Sequence, residues 1–352
     1  MQTKKLYFLL ITLCVMNSSK VFSQAPDIQW EKTFGGSKDD ELRVVRQTAD
    51  GGYFIGGTSE SPASGDKTQN AWADSDDFWI LKTNSSGAIE WQHTIGGNSI
   101  DDFKSVEQTA DGGYLLAGRS QSKVSGDKTV DTKGGADNWI MKLNSSGIIE
   151  WQQSIGSKDT DATTAMQQTS DGGYIIGSSS YGPDSKDKTE ECFGGYDYWI
   201  IKLDNAGGIE WDNTIGGTLN DNLAAIEQTS DGGYILGGVS YSPLSVDKTE
   251  ASVGGADYWI VKLDASGNIE WQNTIGGTGN DYLYTTQQTA DGGYIIGGES
   301  LSGISGDKTE LGLDQDYWVL KLTAAGAIEW QNTIGASGDD SFRDIWQTAD
   351  GN

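Results

Sequence analysis

Gln228-Thr229-Ser230-Asp231-Gly232-Gly233-Tyr234 contains one of five copies of the string Asp-Gly-Gly-Tyr. The others are Asp50–Tyr53, Asp111–Tyr114, Asp171–Tyr174 and Asp291–Tyr294, and a sixth opens at Asp350-Gly351 just before Asn352. Successive copies start 61, 60, 60, 60 and 59 residues apart. A fixed period of this size signals an array or closed ring of similar units. It overrides the count of one or two ordinary domains that 352 residues would suggest.

Within the unit 222–277 the pattern is that of short strands. Leu223–Thr229 forms a first strand, and Asp231-Gly232-Gly233 a tight turn whose glycine is free to take a positive φ. Tyr234–Gly238 follows as a second strand, where glycines leave room for a neighbouring sheet. A long link leads to a third strand, Tyr258–Leu263. Asp264-Ala265-Ser266-Gly267 then turns the chain into a fourth, Ile269–Ile275, with Ile269, Trp271 and Ile275 on one face. Two tight hairpins and one long link per unit describe a β-propeller blade. A solenoid is the competitor, but its repeats are usually shorter. The expected fold is therefore all-β: a propeller of four-stranded blades of about 60 residues, with five complete blades. Partial strands flank them, a fourth-strand piece at Ile28–Phe34 and a first-strand piece at Phe342–Thr348. A chain stopping inside a turn reads as a piece of a longer protein; a five-blade ring with two spare strands is the alternative.

The string Gln-Thr-x-Asp-Gly-Gly-Tyr followed by an aliphatic-Gly-Gly strand, as in Gln287–Gly298, resembles the secreted bacterial repeat proteins of the delta-sixty type. That resemblance covers residues 28 to 352. It implies a propeller and export, often through the type nine secretion route, and no particular activity.

Residues 1–23 read as a secretory signal. Lys4 and Lys5 precede the apolar run Leu6–Met16, and Val21-Phe22-Ser23 suits cleavage before the repeat domain at 24–352. The apolar run is short for a membrane span. The segment holds three lysines and no acid, so the remainder carries 21 basic and 51 acidic residues, a net charge of −30. Such a surface repels phosphate backbones and argues against nucleic acid as a partner. Without the leader, Cys192 is the one cysteine, and no internal disulfide forms. Glu190 and Glu191 beside it are expected to keep its thiol protonated.

Chemistry, if any, is expected on the face carrying the long links and the inter-blade loops. Three acidic series recur there: Asp40, Asp101, Asp161, Asp221, Asp281 and Asp340; the Asp-Lys-Thr triplets opening at Asp66, Asp127, Asp187, Asp247 and Asp307; and Asp77, Asp137, Asp197, Asp257 and Asp316. Oxygen-rich sets of this kind can hold Ca²⁺. The competing reading is that each Asp accepts backbone N–H groups and fixes its own loop, the adjacent Lys partly neutralising the triplet. The third-strand and fourth-strand tryptophans recur at core spacing. Trp72, in the first long link, is the candidate exposed contact residue. His93 is the single histidine and its equivalents are Lys32, Gln153, Asn213, Asn273 and Asn332, so no His-based triad or zinc site is available. Asn84-Ser85-Ser86 and Asn144-Ser145-Ser146 read as turns. The expected function is a secreted, non-enzymatic binding or scaffold module at the cell surface with a protein or carbohydrate partner. The alternatives are a glycoside hydrolase, which needs only two carboxyl groups, and a calcium-stabilised adhesion protein.

Overall fold

A computed structural model describes residues 28–348, so the leader read at residues 1–23 lies outside the described residues. Blade one consists of β1 (Asp40–Gln47), β2 (Tyr53–Ser59), β3 (Asp77–Thr83) and β4 (Ile89–Ile95), hydrogen-bonded in that order as an antiparallel sheet. Four more sheets of the same order span Asp101–Ile155, Asp161–Ile215, Asp221–Ile275 and Asp281–Ile334. This is the expected β-propeller. A 3-10 turn at Trp72–Asp74 is the one helical element among the described residues, and none of their helices is long and apolar enough to cross a membrane.

The two glycines of Asp-Gly-Gly have separate jobs. Gly232 takes φ 87°, which glycine adopts without a steric cost. A Cβ on Gly233 would lie 2.2 Å from the Leu263 carbonyl oxygen and 2.6 Å from Lys262 Nζ, so the turn packs against the third strand only because that atom is missing.

Strand alternation sends each blade's side chains into two different cores. Ile235, Tyr258, Ile260 and Ile275 of blade four meet Leu283, Tyr294, Ile296, Trp318 and Leu320 of blade five. On the opposite face of blade four, Tyr234, Leu236, Trp259 and Val261 meet Ile175, Tyr198, Ile200 and Ile215 of blade three. The core is thus a series of blade-to-blade layers, because a single sheet cannot cover its own apolar faces. Second-strand glycines set the spacing. A Cβ on Gly56 would lie 2.5 Å from the Phe103 ring, and one on Gly297 would lie 2.5 Å from Phe342.

The first strands line the axis, and Phe342–Thr348 takes the sixth place beside them. Phe342, at the position of Leu283 and Phe103, fills the first-strand core site against blade five, and Arg46 of β1 lies 5.7 Å above the Trp346 ring, closing the circle. Neither terminal piece is a strand, however: 28–36 and 341–348 form no ladder. The reason is local. A first strand in this fold pairs with the second strand of its own blade, as Asp281–Gln288 pairs with Tyr294–Ser300, and 342–348 has no such partner among the described residues.

Candidate functional site

The loop-rich end uses its three acidic series for construction. Each triplet Asp clips the end of the preceding fourth strand: Asp127 N donates to the Gly96 carbonyl (2.9 Å) while Asp127 Oδ2 accepts from Gly96 N (3.3 Å). Asp66, Asp187, Asp247 and Asp307 hold Gly35, Gly156, Gly216 and Gly276 in the same way. In the first-strand series, Asp101 accepts from Gly97 N (2.7 Å) and Ser122 Oγ (2.9 Å). Asp40, Asp161, Asp221, Asp281 and Asp340 likewise accept from a backbone N–H four residues earlier. In the third series, Asp77, Asp137, Asp197, Asp257 and Asp316 each accept a backbone N–H of the long link.

The triplet lysine does something the sequence did not suggest. Lys67, Lys128, Lys188, Lys248 and Lys308 fold inward and are buried. Lys128 Nζ donates to Ser120 Oγ (2.7 Å) and lies 5.1 Å from the Trp139 ring centroid. Its charge faces Asp101 and Asp137, the two buried carboxyls of its own blade, and not the Asp beside it in sequence. Burial dominates all three kinds of group. It pushes Lys128 and Lys248 down to about 8, Asp77 up to about 8, Asp197 to about 7, and Asp161 and Asp257 to about 6. These third-strand carboxyls press on glycine: a Cβ on Gly276 would lie 2.1 Å from Asp257 Oδ1. Among the described residues no three His, Cys, Asp or Glu side chains gather as a metal site.

The opposite end carries a second lysine series. Lys142, buried, bridges Asp111 of the turn (2.8 Å) and Glu150 of the fourth strand (3.1 Å) and donates to the Leu143 carbonyl. Lys82, Lys202, Lys262 and Lys321 repeat the bridge. Here the carboxylates are half exposed. The Lys142 ammonium, with Thr109, holds Asp111 down at about 2. The repeat's leading glutamine also has a job at this end. Gln288 Oε1 accepts from Ser230 N (2.8 Å) of the preceding turn, and Gln108, Gln168, Gln228 and Gln347 repeat the staple.

A concave feature shared by all five blades lies on the axis. A cavity of about 340 Å³ is lined by Arg46, Glu107, Glu227, Tyr284, Arg343 and Trp346 among others. Glu107 accepts from Gln168 N (2.6 Å) and Glu227 from Gln288 N (2.8 Å), so each carboxylate also ties two first strands together. Burial lifts Glu107 to about 7. The chain has four arginines, Arg43, Arg46, Arg119 and Arg343, and two of them line this cavity. Reading from sequence missed the site because its members sit at two first-strand positions in which the residue type changes from blade to blade, with no repeated motif to mark them.

Trp72 is partly exposed at 44%, and its indole N–H donates to Asp127 Oδ2 of the next blade (2.8 Å). It therefore covers a clip as well as facing solvent. Its equivalents Phe193, Val253 and Leu313 are also exposed. The recurring tryptophans of the third strands are buried, as expected. Cys192 is half-buried, and its thiol is pushed up to about 11 chiefly by that burial. The neighbouring glutamates are not the cause. His93 stacks on Trp91 at 5.4 Å, and burial lowers its pKa. Asn84 and Asn144 cap their own turns, each accepting the N–H two residues on.

No family model matches the chain. Regulatory protein FlaEY from Caulobacter vibrioides is 24% identical over 197 residues, covering 52% of this chain and 20% of that protein. The chain thus spans about one fifth of that relative's length. Among solved structures, a protein of unknown function from Dyadobacter fermentans aligns over 83% of this chain and 81% of its own, at 10% identity and a TM-score of 0.48. Apocarotenoid oxygenase from Synechocystis aligns over 87% and 64%, at 10% identity and a TM-score of 0.45. A mannose phosphorylase from Leishmania mexicana aligns over 86% and 92%, at 12% identity and a TM-score of 0.36. At these scores the propeller assignment rests on the strand order and register of the chain itself.

Proposed function

We propose that this chain is a secreted binding or scaffold propeller of the delta-sixty repeat type, acting at the cell surface on a protein or carbohydrate partner. One observation carries the reading: the repeated carboxyl groups are committed to backbone clips and buried charge clusters, while the solvent-facing residues of the long links and inter-blade loops differ from blade to blade. Phe193, Leu219, Leu244, Val253, Ile304 and Leu313 are exposed there on a constant frame. Varied loops on a rigid scaffold are the usual way a fold presents a recognition surface. Export rests on the sequence of residues 1–23.

A carbohydrate partner is favoured over a protein by the axial cavity. Glu107 and Glu227 supply acceptors, Arg46 and Arg343 supply donors, and Tyr284 and Trp346 supply exposed rings that a sugar face can stack on. A glycoside hydrolase reading has less support, because the cavity carboxyls Glu107 and Glu227 are each engaged by a backbone N–H of a neighbouring first strand, and the strongly shifted third-strand carboxyls are buried beneath glycine backbone. The test is a glycan array probed with the full chain, followed by incubation with any glycan that binds. Retention of an intact glycan, weakened by Trp346→Ala, is the expected result. Release of a shortened product overturns the non-enzymatic reading, and no glycan binding removes the carbohydrate partner.

A further inference from the structure

The ring has six inner positions and five complete blades, and the sixth blade is already half specified. At the axis, Asp340 N donates to the Gln315 carbonyl (2.8 Å), as Asp281 N does to Ala256. Gln347 staples to Ala290 N (2.9 Å), as Gln288 does to Ser230 N. At the loop-rich end, Gly35 N donates to Asp66 Oδ2 (3.1 Å) and Gly36 N to Asp40 Oδ2 (2.6 Å), repeating the bonds of Gly96 and Gly97 with Asp127 and Asp101. These are the bonds that first strands make in blades two to five and that fourth-strand exits make in blades one to four. Among the described residues no second or third strand stands between them.

The walls of this notch have the chemistry of a blade interface left open. On blade one, Leu42 is 62% exposed, whereas its counterpart Leu283 is 1% exposed inside an interface; Val45 and Ile55 are likewise more exposed than theirs. On blade five, Ile334 is 54% exposed against 1% for Ile275. Trp330, Ile345 and Trp346 line a groove of about 340 Å³ on that side. The complete interfaces say what belongs there. Blade four receives Leu283 from a first strand, Tyr294 and Ile296 from a second, and Trp318, Leu320 and Leu322 from a third. In the notch the first-strand contribution, Phe342, is in place. Tyr317 matches Tyr198 and Tyr258, whose hydroxyls donate to third-strand carbonyls of the next blade.

We infer that the notch between blades five and one is an acceptor for two antiparallel strands bearing this repeat's own second- and third-strand pattern, Tyr-x-aliphatic-Gly-Gly and Tyr-Trp-x-aliphatic-Lys-Leu. The binding mode is strand addition beside Phe342–Thr348, with the alternating Tyr, aliphatic and Trp side chains filling the two walls.

The test adds a peptide copied from residues 290–323 to the full chain and follows tryptophan fluorescence and thermal melting. Saturable one-to-one binding is expected, with Tm raised by about 5 °C or more at saturation. A peptide with Ser at the positions of Tyr294, Ile296, Trp318 and Leu320 is expected to give neither effect. Leu42→Asp on the protein is expected to abolish binding while leaving the melting of the unliganded chain unchanged, since Leu42 already faces solvent. Fusing the same segment after Asn352 covers the case in which a free peptide binds too weakly to see. If neither peptide nor fusion raises Tm, the inference fails. It also fails if the chain alone is a dimer that the peptide does not disperse, because a second copy then fills the notch.

Discussion

Each blade holds two buried lysines, one at either end, and they solve the same problem in opposite ways. Lys142 meets Asp111 and Glu150, whose outer faces stay in water, so the ion pairs form with little loss of solvation and Asp111 is held at about 2. Lys128 donates to the Ser120 and Ser154 hydroxyls under Trp139, and its charge faces Asp101 and Asp137, both fully buried, at longer range and without a direct ion pair. There burial works against every charge, lowering the lysine and raising the carboxyls. The number of opposite charges is the same; what differs is whether the carboxylates keep their water. A wet bridge is a modest local fastening. A buried cluster of charges is costly to assemble and costlier to break, because removing one member strands the others.

That contrast gives a ranked set of expectations. Lys128→Met is expected to destabilise the protein by about 3 kcal/mol in denaturant unfolding, since two buried carboxyls lose their counter-charge. Lys142→Met is expected to cost about 1 kcal/mol, its carboxylates being free to rehydrate. Equal losses would erase the distinction.

The pH responses of the two ends have opposite signs. Asp77, raised to about 8, binds its proton more tightly folded than unfolded. Its contribution is complete below its unfolded value near 4 and is lost as pH rises towards 8. Asp77→Asn is therefore expected to melt progressively closer to, or above, the parent as pH goes from 4 to 8. Asp111, held at about 2, contributes fully above pH 4 and loses that contribution as pH falls through 2. Asp111→Asn is therefore expected to approach the parent's Tm as the solution is acidified. A pH-independent difference for both variants would break the comparison.

Smaller effects follow. Gln288→Ala removes one staple to Ser230 and is expected to cost about 1 kcal/mol, with little change at neighbouring blades. Smallest of all, a chelator is expected to leave Tm unchanged, because among the described residues no three acids gather as a cation site. A fall in Tm on chelation would revive the calcium reading, since a ligand bound only to the folded state must stabilise it.

Much of this architecture was legible in the chain. The Asp-Gly-Gly turns, the alternation in Tyr258–Leu263 and the glycine-bearing second strands predicted four-stranded blades, because turn geometry and strand alternation are set within a few residues. The acidic series were found in the right loops, but their partners were not. Asp127 reaches Gly96, 31 residues back in another blade, while Lys128 beside it turns the other way into its own. Adjacent residues thus serve two different sheets, and no local pattern reveals that.

The sequence by itself determined the period, the strands, the turns and the side chains facing each layer. Only the tertiary structure decided which lysine is dry, that first strands of different residue types enclose an axial cavity, and that the described residues leave uncovered walls between blades five and one. The physical reason is that desolvation and closure depend on what another blade brings to the interface, whereas strand and turn formation depend on neighbours along the chain.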